Sequence, residues 1–93
     1  MKRKKSQELR AILNTATSAD ELDSLLDGLL TPQEIEECIQ RWRLLQKLLQ
    51  EIPQREIAKE LGISLGTIAR GSRLIQYGPP LFRTLVKRSL PSE

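Results

Sequence analysis

The stretch 54–75 constrains the fold of this chain more than any other, and it reads QREIAKELGISLGTIARGSRLI. If a helix begins at Gln54, its aliphatic residues share one face, because residues three and four apart lie on the same side of a helix. Gly62 can adopt the left-handed backbone that ends this helix, and Ser64 is a typical N-cap for a second one. The stretch therefore predicts a helix-turn-helix, a motif whose usual function is DNA binding.

Charge is distributed unevenly along the 93 residues, whose net charge is +3. Residues 1–17 carry five bases and one acid, and residues 18–38 carry seven acids and no base. Residues 39–93 carry ten bases and four acids. A locally basic segment suits an anionic partner, so we expect a nucleic-acid-binding surface in this last part of the chain.

Composition argues against an enzyme, a metal site and a membrane protein. The chain has no histidine, and its single cysteine, Cys38, cannot form an internal disulfide. The usual metal ligands, activated nucleophiles and glycine-rich phosphate loops are missing from the sequence. No apolar run approaches the length of a membrane span or a signal-peptide core. We therefore expect a soluble, non-enzymatic protein of the cytoplasm.

Helix signals continue outside the helix-turn-helix. Residues 1–5, MKRKK, predict a flexible basic terminus that serves either solubility or contact with the DNA backbone. Capping patterns at Ser18 and Thr31 predict two helix starts, and the break at 77–80 precedes a last helix. No strand pattern is found. The prediction is a single all-α domain of six helices over residues 6–90.

The third predicted helix is apolar on two sides. One stripe runs through Trp42 and Leu45, whereas Leu44 and Leu48 lie on another side. One small domain would struggle to cover both stripes, so we expect an obligate dimer with this helix at its centre. The last helix has one apolar stripe that we expect to be buried, formed by Leu81, Phe82, Leu85 and Val86.

Two further residues suggest a ligand site. Arg41 falls between apolar positions, so it either covers apolar surface or pairs with Glu37, or it binds an anion at the rim of a pocket. Gly71 lies on the inward side of its helix, where glycine costs about 0.5–1 kcal/mol relative to alanine. Either a neighbouring backbone or Trp42 packs closely there, or a small flat molecule occupies the space.

Four motifs in order give a specific resemblance. They are LTPQEIE at 30–36, RWR at 41–43, QREIAKELG at 54–62 and TIARGS at 67–72. Together they resemble the tryptophan repressor family, and the similarity covers most of the chain. The resemblance implies a six-helix intertwined homodimer that represses transcription. It also implies a palindromic double-stranded DNA operator and L-tryptophan as corepressor.

The resemblance also implies a tryptophan site. The two arginines would stack on the indole, Arg70 would hold the carboxylate, and Gly71 would admit the ring. Backbone groups of Leu30 and Thr31 from the other subunit would bind the amino end. Carried over by position, the ligand-binding residues are Leu30, Thr31, Arg41, Leu44, Arg70, Gly71 and Leu74.

Leu74 departs from the family pattern, because it aligns with the serine that binds the ligand's amino group. Gly28 likewise replaces a pocket leucine. Loss of a hydrogen bond to a charged group costs on the order of 1.5–3 kcal/mol. The ligand would then bind weakly or be an indole compound without an amino group. A related branch, with a pair like Tyr77-Gly78, is not known to need tryptophan, so a regulator without an amino-acid effector is the alternative.

For DNA, Arg55 would pair with a guanine edge and Thr67 would contact a base directly or through water. Lys59 and Arg73 are either phosphate contacts or solvated surface charges. A third alternative is a protein-interaction module that keeps the motif as a scaffold. The positions that match the family's DNA contacts, together with these two, are Gln54, Arg55, Lys59, Leu65, Gly66, Thr67, Ala69 and Arg73.

Overall fold

The computed structural model describes residues 4–91, which form six helices and no strand. This confirms the predicted all-α class with six helices. The helices are α1 (Lys5–Leu13), α2 (Ala19–Leu29), α3 (Pro32–Leu49), α4 (Gln54–Leu61), α5 (Leu65–Tyr77) and α6 (Pro80–Arg88).

Internal contacts divide the chain into two units, Met1–Glu36 and Glu37–Glu93. The first unit contains α1, α2 and the first residues of α3, and the second contains the rest of α3 with α4, α5 and α6. The single domain over 6–90 stays a prediction. So does the flexible terminus: residues 1–3 lie outside the described residues, and Lys5 already belongs to α1.

Side-chain caps define the helix starts in the first unit. Thr31 Oγ1 accepts the Glu34 N–H at 3.1 Å, and Glu34 Oε1 accepts the Thr31 N–H at 2.8 Å, so the predicted capping box at α3 is confirmed. At α2, Ser18 Oγ accepts the Glu21 N–H as predicted. The Glu21 carboxylate, however, accepts the N–H and hydroxyl of Thr17, at 2.9 and 3.0 Å. These hydrogen bonds lower the pKa of Glu21.

The turn between α4 and α5 has the predicted chemistry. Gly62 is left-handed, with φ of 67°, and its N–H donates to the carbonyl of Ala58. Ile63 N–H donates to the same carbonyl, so the end of α4 keeps its hydrogen bonds. Ser64 Oγ then accepts the Thr67 N–H at 3.1 Å and caps α5. Two short helices are thereby joined by a three-residue turn.

The end of α3 uses the same backbone geometry without a glycine. Glu51 has φ of 60°, in the left-handed region. Its N–H donates to the Leu48 carbonyl at 3.1 Å, and the Ile52 N–H donates to the Lys47 carbonyl at 3.2 Å. This is the Schellman pattern of hydrogen bonds. It satisfies the last carbonyls of α3 and directs the chain into Pro53 and α4.

The core of the second unit lies where α3, α4 and α5 meet, and its centre is Leu44, Ile57 and Ile68. Leu45, next to Leu44 on α3, is only 1% exposed. The second unit therefore covers both apolar sides of α3 at these two positions, whereas Ile39 of the same helix is 39% exposed. The expected dimer stays a prediction. The half-buried residues around the core are Leu48, Ile52, Ala58, Leu61 and Ile63.

The predicted buried stripe of α6 is only half right. Val86 is fully buried, and Phe82 packs edge-on against Trp42 with ring centroids 6.3 Å apart. Leu81 and Leu85 are 74% and 46% exposed. Phe82 and Val86 share a face because they are four residues apart, and the leucine pair lies on the neighbouring side of the helix. Packing against the rest of the second unit therefore covers only the face that carries Phe82 and Val86.

Candidate functional site

One side of α5 is packed and the other is open. Ile68 and Gly71 are buried, whereas Ala69, which lies between them in sequence, and Thr67, which precedes Ile68, are exposed. The Ser64 and Thr67 hydroxyl oxygens are 2.9 Å apart, so the cap also orients the Thr67 side chain. All eight residues predicted to contact DNA are exposed, on α4 or α5: Gln54, Arg55, Lys59, Leu65, Gly66, Thr67, Ala69 and Arg73.

This exposed surface carries basic side chains. Arg55 and Lys59 lie on α4 and Arg73 lies on α5, and within residues 4–91 none of the three forms an ion pair. Glu60 of α4 pairs instead with Lys47 of α3 at 3.0 Å. Glu60, which follows Lys59 in the sequence, is thereby paired with Lys47. The three basic side chains of the exposed surface stay available for an anion such as a phosphate group.

A cleft of about 430 Å³ lies between α3 and α5 in the second unit. Small-molecule sites typically have about 300–1,000 Å³, so the cleft is large enough for one. Its α3 side consists of residues spaced three and four apart, which form one face of that helix. The lining residues are Glu37, Gln40, Arg41 and Leu44 of α3, Ile63 of the turn, and Thr67, Arg70 and Leu74 of α5.

The cleft brings together four of the seven residues predicted to bind the ligand, namely Arg41, Leu44, Arg70 and Leu74. Both arginines are exposed, whereas Leu44 is buried and Leu74 is half-buried. Leu30 and Thr31 belong to the first unit, where Thr31 caps α3. Their predicted role as backbone donors or acceptors from a partner subunit stays a prediction.

Gly71 is buried but does not line the cleft. A Cβ atom at this position would lie 2.9 Å from Leu44 Cδ2 and 3.3 Å from Leu48 Cδ1. Close approach of α3 and α5 therefore explains the glycine, and its inward side is filled by leucine rather than open to an aromatic ring. The close neighbour is neither a backbone segment nor Trp42, which packs on Phe82.

Four residues of the cleft lining are not among the predicted ligand contacts, namely Glu37, Gln40, Ile63 and Thr67. In the structure Gln40 is half-buried, and its Oε1 atom is fully buried without a hydrogen-bond partner within residues 4–91. The three-residue spacing from Glu37 and four-residue spacing to Leu44 could have indicated a shared face. The sequence contained no signal that this face borders a cleft.

The comparison with known families decides the class of this protein. A model of the Trp repressor protein family matches residues 4–90. The chain belongs to the Trp repressor family. Members of this family are transcriptional repressors and not enzymes, in agreement with the prediction from composition. Within residues 4–91, no helix combines the length and the apolar character that a bilayer span requires.

Several curated relatives share the family. A Trp operon repressor homolog of Pasteurella multocida is 37% identical over 83 residues, which cover 88% of this chain and 81% of that protein. A homolog of Actinobacillus succinogenes is 35% identical over 87% of this chain and 81% of its own length. One from Xylella fastidiosa is 38% identical over 70% of this chain and 72% of its own. No solved structure gives a significant match.

Proposed function

We propose that this Trp repressor family member binds a palindromic DNA operator as a homodimer, with L-tryptophan as its corepressor. The observation that carries the proposal is the double use of α5. Thr67 and Arg70 line the cleft, while Ala69 and Arg73 belong to the exposed surface of the same helix. A ligand in the cleft would therefore act directly on the helix that meets DNA.

The DNA-binding part is supported by the exposed surface of the helix-turn-helix. A recognition helix reaches base edges with side chains near its N-terminus, and the first helix contacts the backbone. The N-terminal turns of α5 carry Leu65, Gly66 and Thr67, which are small or short and leave room for close approach to bases. Long polar side chains are few here, so shape and bridging water would contribute much of the specificity.

A salt titration tests the DNA-binding part. Affinity for double-stranded DNA of mixed sequence should fall steeply with salt, because phosphate contacts release counterions. Arg73→Gln, at an expected phosphate contact, should weaken binding and reduce the magnitude of the log–log salt slope by about 1. Arg88→Gln, at the exposed end of α6, is the control and should leave the slope unchanged. Binding without any salt dependence would contradict a phosphate contact by Arg73.

The ligand part is supported by the chemistry of the cleft. Arg41 and Arg70 present guanidinium groups, which stack on aromatic rings and bind carboxylates through paired hydrogen bonds. Leu44 and Ile63 supply the apolar contact that an indole needs. An aromatic amino acid combines a flat apolar ring with a carboxylate, and this combination matches the two arginines and the apolar wall.

One observation favours a second candidate, a regulator that responds to another indole-type ligand or to none. Leu74 lines the cleft where a hydroxyl would be needed to bind an ammonium group. Calorimetry with L-tryptophan and with indole-3-propionate, which lacks the amino group, separates the candidates. Saturable binding of L-tryptophan is expected. Absence of heat from both ligands, with the protein folded, would leave DNA binding without an effector.

A further inference from the structure

The cleft between α3 and α5 carries side chains of both charges. Arg41 of α3 and Arg70 of α5 line it together with Glu37 of α3, and all three residues are exposed. A ligand that enters the cleft can therefore reach the carboxylate as well as the two guanidinium groups. Because complementary charges determine which partner is preferred, this pattern matches a zwitterion better than a simple acid.

Glu37 and Leu44 lie at opposite ends of the α3 face that lines the cleft. They are seven residues apart in the sequence, which corresponds to about two turns and roughly 10 Å along the helix axis. Leu44 is buried and close to Gly71, whereas Glu37 is exposed. An aromatic amino acid with its ring beside Leu44 would have its charged groups at the exposed end, where Glu37 lies.

Glu37 is the only anionic residue of the cleft lining within residues 4–91. Arg41 follows it by one helical turn, so the two side chains can pair with each other. Such a pair does not exhaust the carboxylate, because its two oxygens offer about four acceptor positions. The Thr67 hydroxyl oxygen, another acceptor in the lining, lies 2.9 Å from Ser64 Oγ in the cap of α5. A cationic donor therefore binds best at Glu37, since hydrogen bonds between charged groups are the stronger ones.

We propose that the Glu37 carboxylate binds the ammonium group of an α-amino acid in this cleft, while the two arginines hold the ligand's carboxylate. The proposal rests on the proposed ligand function and makes Glu37 a specificity-determining residue of that site. Glu37 thereby supplies, from α3, the contact to the amino group that Leu74 cannot supply from α5. The ligand class is a zwitterionic aromatic amino acid rather than an indole acid without an amino group.

Glu37→Gln tests this contact, because glutamine keeps the size of the side chain and removes its charge. Calorimetry of the full chain would compare L-tryptophan with indole-3-propionate, which has the carboxylate but no amino group. We expect the substitution to weaken L-tryptophan binding about three- to fivefold, the upper range for an exposed ion pair. Indole-3-propionate should bind about two- to threefold more tightly, because a negative charge near its carboxylate is removed.

A matched variant separates this role from a general charge effect. Glu36→Gln makes the same change at the neighbouring position, which is exposed and outside the cleft lining. It should leave the ratio of the two ligand affinities unchanged. A cleft distorted by Glu37→Gln would weaken both ligands, so affinity changes of opposite sign indicate recognition of the ammonium group rather than a structural effect.

Several results would overturn the proposal. They are an unchanged L-tryptophan affinity in Glu37→Gln, an equal loss for both ligands, the same change of ratio in Glu36→Gln, and a parent protein that binds indole-3-propionate alone. If the parent protein gives no heat with either ligand, the ligand function itself fails and the role of Glu37 falls with it. This last failure is distinguishable because it is seen without any substitution and with both ligands.

Discussion

Single residues determine how closely α3 and α5 approach. Gly71 is buried against Leu44 and Leu48, and a Cβ would lie 2.9 Å from the nearest leucine carbon. The sequence indicated that Gly71 needed an explanation, since a mid-helix glycine is unfavourable. It could not identify Leu44 and Leu48 as the neighbours, because that contact depends on how α3 and α5, which are separated in sequence by α4, pack against each other. Gly62 was predictable because its φ is determined by hydrogen bonds within the same turn.

Gly71→Val should destabilise the protein by about 1–3 kcal/mol, the usual penalty for overpacking a close contact. Denaturant unfolding with two-state fitting measures it. The control is Ala69→Val, which places the same side chain on the exposed side of α5 and should cost at most about 0.7 kcal/mol. Equal losses for the two variants would show that α3 and α5 are not in close contact at Gly71.

Glu51 offers the opposite case, a left-handed position occupied by a residue with a Cβ. We expect Glu51→Gly to stabilise the chain by about 0.5–1 kcal/mol, after the larger loss of backbone entropy for glycine is subtracted. Thermal and denaturant unfolding would measure the gain. At the preceding residue, Gln50→Gly should instead lower stability by about 0.5–1 kcal/mol. A loss for both variants would contradict the left-handed geometry of Glu51.

At the scale of helices, starts and ends were the predictable features. The caps at Ser18, Thr31 and Ser64 were read from local patterns, and each makes the expected hydrogen bond. These caps were predictable because a cap joins residues only two or three positions apart in the sequence. Burial of a helix face was less predictable, as exposed Leu81 and Leu85 show, since it depends on the width of the contact with other helices.

The hydrogen bonds at the start of α2 predict that stability depends on pH. The N–H and hydroxyl of Thr17 stabilise the ionised form of Glu21 and hold its pKa below the ordinary value of 4.5. A lowered folded-state pKa means that the contribution to stability is present above pH 4.5 and is lost as pH falls through the folded pKa. Thr17→Val should raise the pKa only in part, because the backbone N–H remains.

Carboxyl-carbon NMR titration of Glu21 in the two proteins would measure this change. Glu21→Gln removes the titration and serves as the control for its resonance. An identical Glu21 pKa in the parent and Thr17→Val proteins would contradict the hydrogen bond from the Thr17 hydroxyl.

At the scale of the whole molecule, the described chain leaves apolar side chains exposed on several helices. Leu9, Leu29 and Ile39 are 52%, 50% and 39% exposed. The proposed homodimer would bury such residues. The resemblance to the Trp repressor family predicted this homodimer. Sequence periodicity alone predicted a dimer from α3, yet the second unit covers Leu44 and Leu45 itself. The apolar residues that remain exposed lie on several helices, and the hydrophobic periodicity of any one helix does not predict them.

Dimer formation predicts a melting temperature that rises with protein concentration, because association stabilises the folded state by mass action. Leu29→Ser should shift the species seen by light scattering toward the monomer. Leu65→Ser removes a similarly exposed leucine from the proposed DNA surface and should leave the dimer intact. A monomer at all accessible concentrations in the parent protein would contradict the dimer.

In the proposed function, a single helix, α5, couples the ligand cleft to the DNA surface. The most direct test of this coupling is the affinity for DNA fragments selected by this protein, measured by fluorescence anisotropy with and without saturating L-tryptophan. Coupling between two sites typically changes affinity by about 5–150-fold, and we expect tighter DNA binding with the ligand in that range. Equal affinity with and without L-tryptophan would contradict the coupling.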